Sequence, residues 1–413
     1  MKQLCGEAAL AAAAFVALCI AVLSVTAQPA EPDDGAYHAS IVAMTDGHFL
    51  TLSLAQALTV ARKLHDNPSA PPNQWIERDG RYISEKDPGY PYLAVPFQEV
   101  GLIRWAPLFY GPLACLGLFA GARRWLGRFG GATAVGLYCS SGAAIAFAWR
   151  DYMPTFTDAS LVAAGSGALL WTMLSTDVAS RRRTWIGLAG FVAIELATFV
   201  RYTNVVILGC AVVAVIAVWR AGAAKLSGLT VFWWLASVAA FCAGLAMFND
   251  IAYGGPLTSG YQPGEVNFAV AAMGTNARIL PTHLLRAMPM IVLGVVALVW
   301  IIVRWARARA DFATRRDLSV AFALGAAWLA LWALYSAYTW TADDSSEVTV
   351  QVVRFYVPAL GLIALLGAWL VTRIPGRAWR PGVISIAVVA TLFGLGVWAF
   401  HAMYAAFGVP LHG

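Results

Sequence analysis

The 413-residue sequence is short of charge. Only 12% of its residues are Asp, Glu, Lys or Arg, whereas 60% are hydrophobic, and soluble domains carry about 25% charged residues. The mean hydropathy of +0.67 is likewise too high for a soluble domain of this length. The scarcity of charge therefore excludes an ordinary soluble enzyme and indicates a membrane protein.

The sequence also lacks the cysteine patterns of disulfide-rich and zinc-binding proteins. Its six cysteines lie in or beside apolar segments, and no Cys-x-x-Cys pair occurs. We interpret them as small buried apolar residues. No internal repeat is visible, although secondary transporters are commonly built from repeats.

Apolar segments of about 20 residues, the length that crosses a bilayer as a helix, recur along the chain. We predict an all-α polytopic membrane protein, one integral membrane domain over 1–413, with eleven spans at 8–27, 102–121, 131–149, 159–177, 184–200, 203–219, 229–248, 290–306, 318–338, 356–372 and 382–404. The first segment ends in SVTA before Gln28, which also fits a cleaved signal peptide. Its length favours an uncleaved first helix.

Lys and Arg are distributed unevenly between alternate loops. One side of the predicted membrane receives 17 of the 28 basic residues and only 4 of the 22 acidic ones. By the positive-inside rule this side is cytoplasmic, which places the N-terminus inside and the C-terminus outside. The net charge of +6 therefore reflects topology and contact with anionic membrane lipids, and it does not indicate nucleic acid binding.

Two long loops, 28–101 and 249–289, fall on the extracytoplasmic side. Loops longer than about 15 residues are usually functional or disordered. Within the first loop, TLSLAQALTVARKLH (51–65) places apolar residues at helical spacing and ends in basic residues. This pattern predicts a helix that lies on the membrane surface.

Several charged residues stand where the outer loops meet the predicted membrane: Asp46, Lys86, Asp158, Arg201 and Arg354. A charge near hydrocarbon is costly, so it is usually paired or functional. Each also has a structural explanation. Asp46 and Asp158 can cap helices, and an arginine at the interface can be an anchor whose stem is buried.

Five segments, in this order and spacing, resemble the GT-C-type membrane glycosyltransferases: TDGHF, EKDPGYPYLAVPF, PTFTDASL, FNDIAYGGPLTSGY and VVRFYVPALG. The resemblance covers most of the chain. It is closest to the branch containing protein O-mannosyltransferases and the enzymes that transfer aminoarabinose to lipid A. It implies a GT-C-like fold, surface helices in the first outer loop, and a sugar donor carried on a polyprenyl phosphate in the cell membrane.

The resemblance implies two catalytic carboxylates. Asp46 matches the first-loop acidic residue, the expected general base, although Asp-Gly stands here where the family often has Asp-Glu. Asp158 matches the second-loop carboxylate. A carboxylate within hydrogen-bond reach of the acceptor hydroxyl can take its proton. A single base, with no second carboxylate in a covalent role, predicts inversion at the anomeric carbon.

The same resemblance implies the donor-phosphate site. Lys86 matches the lysine of the family's Glu-Lys-Pro-Pro stretch, with Asp87 in place of the first proline. Arg354 matches the arginine of an Arg-Tyr-x-x-Pro pattern, with Phe355 inserted. We add Arg201, from the tight outer turn RYTN, to this phosphate-binding set. Such cations stabilise the charge that develops on a phosphate leaving group.

Some relatives hold a divalent metal between the Glu of Glu-Lys and a later outer-loop His, which Glu85 and His283 match here. A divalent ion is thus an implied cofactor, from two ligands only. The sugar stays open between mannose, arabinose and aminoarabinose, and the acceptor between a glycan, a lipid and a protein. The alternative function is a transporter or lipid flippase, but only Glu195 lies deep in a predicted span.

Overall fold

The computed structural model describes residues 2–23, 32–261, 267–307, 312–342, 349–374 and 380–404. Within these ranges the chain is largely helical, with one two-stranded antiparallel sheet. The first outer segment follows the N-terminal helix. These elements are α1 (Lys2–Leu23), α2 (Pro32–Thr45), α3 (Leu54–Lys63), β1 (Trp75–Arg78), β2 (Arg81–Ser84) and α4 (Gly89–Glu99).

The remaining elements are helices joined mainly by short turns. They are α5 (Ala106–Phe109), α6 (Gly111–Leu126), α7 (Gly130–Cys139), α8 (Gly142–Phe147), α9 (Thr155–Leu174), α10 (Ser180–Val200), α11 (Val205–Arg220), α12 (Gly228–Tyr253), α13 (Val270–Ala287), α14 (Ile291–Arg307), α15 (Phe312–Ser336), α16 (Thr349–Val353), α17 (Leu360–Thr372) and α18 (Arg380–Tyr404). Short 3₁₀ turns occur at Ile103–Trp105, Tyr202–Asn204, Trp340–Ala342 and Val357–Ala359.

The predicted all-α membrane fold is confirmed. Each predicted span coincides with helix in the described residues, to within a few residues, although 131–149 is divided between α7 and α8. Six described helices are long and apolar enough to cross a membrane. The pair α13 and α14, bent by 117°, would make a seventh. The predicted number of eleven spans is not established. The SVTA site lies outside the described residues.

The centre of the molecule is α17, which packs against α7, α9, α14 and α15. Nearly all side chains of α17 are buried, as expected for a helix that is apolar on every side. This helix begins six residues after Arg354 and is followed at its other end by Arg373. The core helix therefore holds one charged group at each of its ends.

The predicted surface helix is present as α3. It begins with a capping box, in which Ser53 and Gln56 each bind the other's backbone N–H. Ser53 is therefore the N-cap, and the alternative that Asp46 caps this helix is wrong. The buried side chains of α3, Ala57 and Val60, pack against α2. The helix thus contributes to a small folded layer formed by the segment between α1 and α5.

Candidate functional site

Lys86 lies in a turn between β2 and α4 that two close backbone contacts hold in place. A Cβ on Gly89 would lie 2.4 Å from the backbone of Phe199 at the end of α10. A Cβ on Gly260 would lie 2.4 Å from the Cα of Glu85. Neither position can accept a side chain without movement of backbone. The two glycines therefore fix the depth and direction from which Lys86 projects.

Lys86 and Arg354, which lie far apart in the sequence, meet at one carboxylate. The Lys86 ammonium is 3.1 Å from Asp33 Oδ1, and the Arg354 guanidinium is 2.9 Å from Asp33 Oδ2. Both cationic side chains are about nine-tenths buried. Asp33 also accepts a hydrogen bond of 3.1 Å from Gln74. Asp33 thus occupies the position that an anionic ligand of the two cations would take.

The charges at this site shift each other's protonation. Burial alone would raise the pKa of Asp33, but the charges of Arg354 and Lys86 outweigh burial and hold it well below its ordinary value. Burial alone would lower the pKa of Lys86, but Asp33 and Glu85 raise it. Asp33 is therefore a carboxylate, and Lys86 an ammonium, at any physiological pH.

Aromatic rings line the cations. Lys86 Nζ lies 4.9 Å from the ring centroid of Tyr261, and the Arg354 guanidinium lies 4.8 Å from Phe355 and 5.4 Å from Trp340. Arg201 approaches Phe355 to 5.6 Å. Contacts of this kind hold a cation in a partly desolvated position without neutralising it. Phe355 thereby connects Arg354 with Arg201.

Arg201 and Asp158 form a buried pair next to this site. Arg201 Nε lies 3.1 Å from Asp158 Oδ2, and the guanidinium also reaches Thr155 Oγ1 at 3.3 Å. The amide of Asn204 donates to the other Asp158 oxygen. Asp158 is fully buried. Asn204 holds one carboxylate oxygen and the Arg201 guanidinium faces the other, so Asp158 orients Arg201. We call Asp33, Lys86, Asp158, Arg201 and Arg354 the Asp33 cluster.

Asp87, a mismatch to the family pattern in the sequence, lies at the edge of the Asp33 cluster. It accepts a 3.3 Å hydrogen bond from the backbone N–H of Tyr202. Burial raises the pKa of Asp87 to about 6, against that hydrogen bond and the charges of Arg201 and Lys86. Asp87 is thus a carboxyl group that changes charge close to neutral pH.

The predicted base, Asp46, is placed differently. It follows α2, is partly exposed, and pairs with Lys63 at 2.5 and 2.7 Å. The ion pairs of Lys86 and Arg354 are instead made by Asp33, at the other end of α2. Asp34, beside it, pairs with Arg150. One feature of the sequence could have drawn attention to Asp33 and Asp34. Carboxylates favour the first turn of a helix, and these two residues stand at the start of α2.

The two implied metal ligands have other partners. Glu85 lies 2.9 Å from Lys86 Nζ, and His283 Nδ1 lies 2.8 Å from Thr349 Oγ1. In the part of the chain that the structure describes, no group of three or more His, Cys, Asp or Glu is placed to hold a metal. The divalent ion therefore stays a prediction, and no chemical step is assigned to it.

No family model matches the sequence, and no curated protein matches it. Solved structures do share its fold. The apo structure of ArnT, an aminoarabinose transferase from Cupriavidus metallidurans, has a TM-score of 0.54 at 18% identity over 94% of this chain. The same enzyme bound to undecaprenyl phosphate has a TM-score of 0.51 at 16% identity over 93% of this chain.

The oligosaccharyltransferase of Archaeoglobus fulgidus, in complex with Zn and sulfate, matches over 94% of this chain with a TM-score of 0.52 at 12% identity. This chain spans 63% of the length of ArnT in both its structures and 52% of the oligosaccharyltransferase. Both relatives are GT-C glycosyltransferases. The resemblance seen in the sequence is therefore confirmed at the level of the fold.

Proposed function

We propose that this protein is a multi-pass membrane glycosyltransferase. It moves a hexosyl or pentosyl group from a polyprenyl-phosphate donor to an acceptor hydroxyl on the extracytoplasmic face. The observation that carries the proposal is the convergence of Lys86 and Arg354 on Asp33. The fold supports it, since one structural relative is bound to undecaprenyl phosphate and another to a dolichol-phosphate.

In this proposal the donor phosphate takes the place of the Asp33 carboxylate between Lys86 and Arg354. Both cations are partly desolvated, which strengthens their attraction for the phosphate. Arg201 lies beside them across Phe355 and adds a third positive charge, oriented by Asp158. As the glycosidic bond breaks, these groups stabilise the charge on the leaving phosphate, typically by about 3 kcal/mol for each donor.

Asp33 is our candidate for the general base. Once a phosphate binds Lys86 and Arg354, Asp33 loses the two positive charges that most depress its pKa, so it becomes a stronger proton acceptor beside the donor phosphate. A single displacement with this base inverts the anomeric carbon. The role of Asp46 stays a prediction from the sequence, and the same assay compares the two residues.

The proposal is tested by incubating purified protein in lipid nanodiscs with radiolabelled polyprenyl-phosphate sugars and with glycan, lipid or protein acceptors. Arg354→Ala should lower transfer about 100-fold or more, because it removes a donor to the phosphate. Arg104→Ala is the matched control, since Arg104 is exposed and lies outside the Asp33 cluster, contacting Asp151 at 3.7 Å and the Trp149 ring at 5.3 Å. Lipid translocation or solute uptake in vesicles, with no sugar transfer from any donor, would instead support the transporter.

A further inference from the structure

An open cleft lies beside Lys86, between the end of α2, the β1–β2 hairpin, the start of α4 and the end of α12. It contains about 370 Å³ of empty space, part of it open to solvent. Lys86 is part of the lining, and much of the wall is aromatic: Phe49, Trp75, Phe248 and Tyr253. A concave, largely apolar site with few polar groups is typical of small-ligand binding.

We propose that this cleft holds the sugar that is transferred, and that this sugar carries no charge. The inference rests on the proposed function. With the donor phosphate between Lys86 and Arg354, the sugar attached to it begins at Lys86. Lys86 lines the cleft together with the aromatic wall, whereas Arg354 does not line it.

The charges around the cleft favour a neutral sugar. Among the described lining residues none is Asp or Glu, and the titratable ones other than Tyr253 are basic, Lys86 and His48. The ammonium group of an amino sugar placed against the aromatic wall would find no counter-charge among the lining residues. The carboxylate of a uronic acid would have only Lys86 and His48 as basic neighbours in the lining, and Lys86 already pairs with Asp33 and Glu85 at 3.1 and 2.9 Å. Burying an unpaired charge is costly, so both are disfavoured.

Trp75 provides the polar contact. Its indole Nε1 is buried and has no hydrogen-bond partner among the described residues. A buried donor without a partner lowers stability, and a sugar hydroxyl in the cleft would supply the acceptor.

The test compares binding of three probes to the full chain in nanodiscs: undecaprenyl phosphate, its mannosyl derivative and its 4-amino-arabinosyl derivative. The mannosyl derivative should bind about tenfold more tightly than the bare lipid, because the sugar adds contacts in the cleft. The 4-amino-arabinosyl derivative should show no such advantage.

Trp75→Phe keeps an aromatic ring and removes the N–H. It should reduce the advantage of the mannosyl derivative by about two- to tenfold and leave binding of bare undecaprenyl phosphate unchanged. Trp105→Phe is the control, since Trp105 packs edge-on against Trp149 and is not part of the cleft lining.

Equal affinity for the charged and uncharged sugars, or an intact advantage in Trp75→Phe, would overturn the inference. The proposed function is tested by a separate measurement, the transfer of the sugar to an acceptor. If the mannosyl derivative shows the expected advantage but its sugar is never transferred to an acceptor, the sugar site stands and the proposed transferase fails.

Discussion

The two ends of α17 carry ionic clusters of different construction. At the start, Asp33 is shared between two cations that are both about nine-tenths buried. Beyond the other end, Asp317 binds one arginine, Arg373, at 2.5 Å and accepts hydrogen bonds from the indoles of Trp125 and Trp369. We call this second set the Asp317 cluster. Arg373 is about one-third exposed.

The difference separates a binding site from a structural tie. If Asp33 moves away, the largely buried Lys86 and Arg354 still face a common position. An anion that enters there can pair with both cations. If Asp317 moves away, a single arginine that is about one-third exposed and two neutral indoles remain. The free energy available to an anionic ligand is therefore concentrated in the Asp33 cluster. Substitutions there should change activity, whereas substitutions in the Asp317 cluster should change stability.

The largest expected effect comes from Asp33→Asn. Loss of the base should reduce the turnover rate by about 10²- to 10⁴-fold. Affinity for bare undecaprenyl phosphate should be unchanged or higher, because the variant removes the anion that competes with the phosphate. Asp46→Asn is the comparison, since Asp46 pairs with exposed Lys63, and it should alter neither quantity. A large loss of turnover in Asp46→Asn, with Asp33→Asn active, would return the base role to Asp46.

The next effect concerns the position of Lys86. Gly89→Ala must displace the backbone of α10, because its Cβ would lie 2.4 Å from Phe199. We expect binding of undecaprenyl phosphate to weaken by about tenfold or more, since a shift of about 1 Å in a positioned group is costly. Gly209→Ala in α11 has open space around it and should bind as the unmodified protein does. Unchanged binding in Gly89→Ala would show that Lys86 does not need this support.

Sequence patterns predicted much of the helical framework, because a span is specified locally by some 20 apolar residues. Apolar content does not reveal where such a segment breaks. The predicted span 131–149 divides at Ser140 and Ser141, whose hydroxyls donate to the backbone carbonyls of Leu137 and Ala287. Side chains that bind backbone in this way compete with helix hydrogen bonds, and the partner on α13 is distant in sequence.

The site was predicted only in part, because local sequence patterns do not show which distant residues meet in the fold. Lys86 and Arg354 were identified from the segments around them, and the structure brings them together. Their shared partner, Asp33, was missed because nothing local in the sequence pairs a residue in the first turn of α2 with one before α17. Asp46 matched a local motif, but the fold turns it towards α3. Local sequence patterns therefore do not predict which charged residues pair with each other in the folded protein.

A smaller effect is expected at the Asp317 cluster. Arg373→Ala removes a partly exposed ion pair, worth about 1 kcal/mol or less, while both indoles still donate to Asp317. The thermal unfolding midpoint in detergent should fall by about 1 °C, and sugar transfer should stay within about twofold of that of the unmodified protein. A loss of transfer comparable to that of Arg354→Ala would remove the distinction between the two clusters.

The smallest effect is a pH dependence that the Asp33 cluster should show and the Asp317 cluster should not. Asp87 has a pKa of about 6, so it becomes negative as the pH rises through that value. The added charge lies near Lys86 and Arg201 and repels a bound phosphate. Affinity for a polyprenyl-phosphate sugar, a diester with no proton to lose in this range, should therefore fall a few-fold between pH 5 and pH 8. Asp87→Asn stays neutral, so titrating its affinity should give a flat profile, and a persistent slope would assign the dependence to another group.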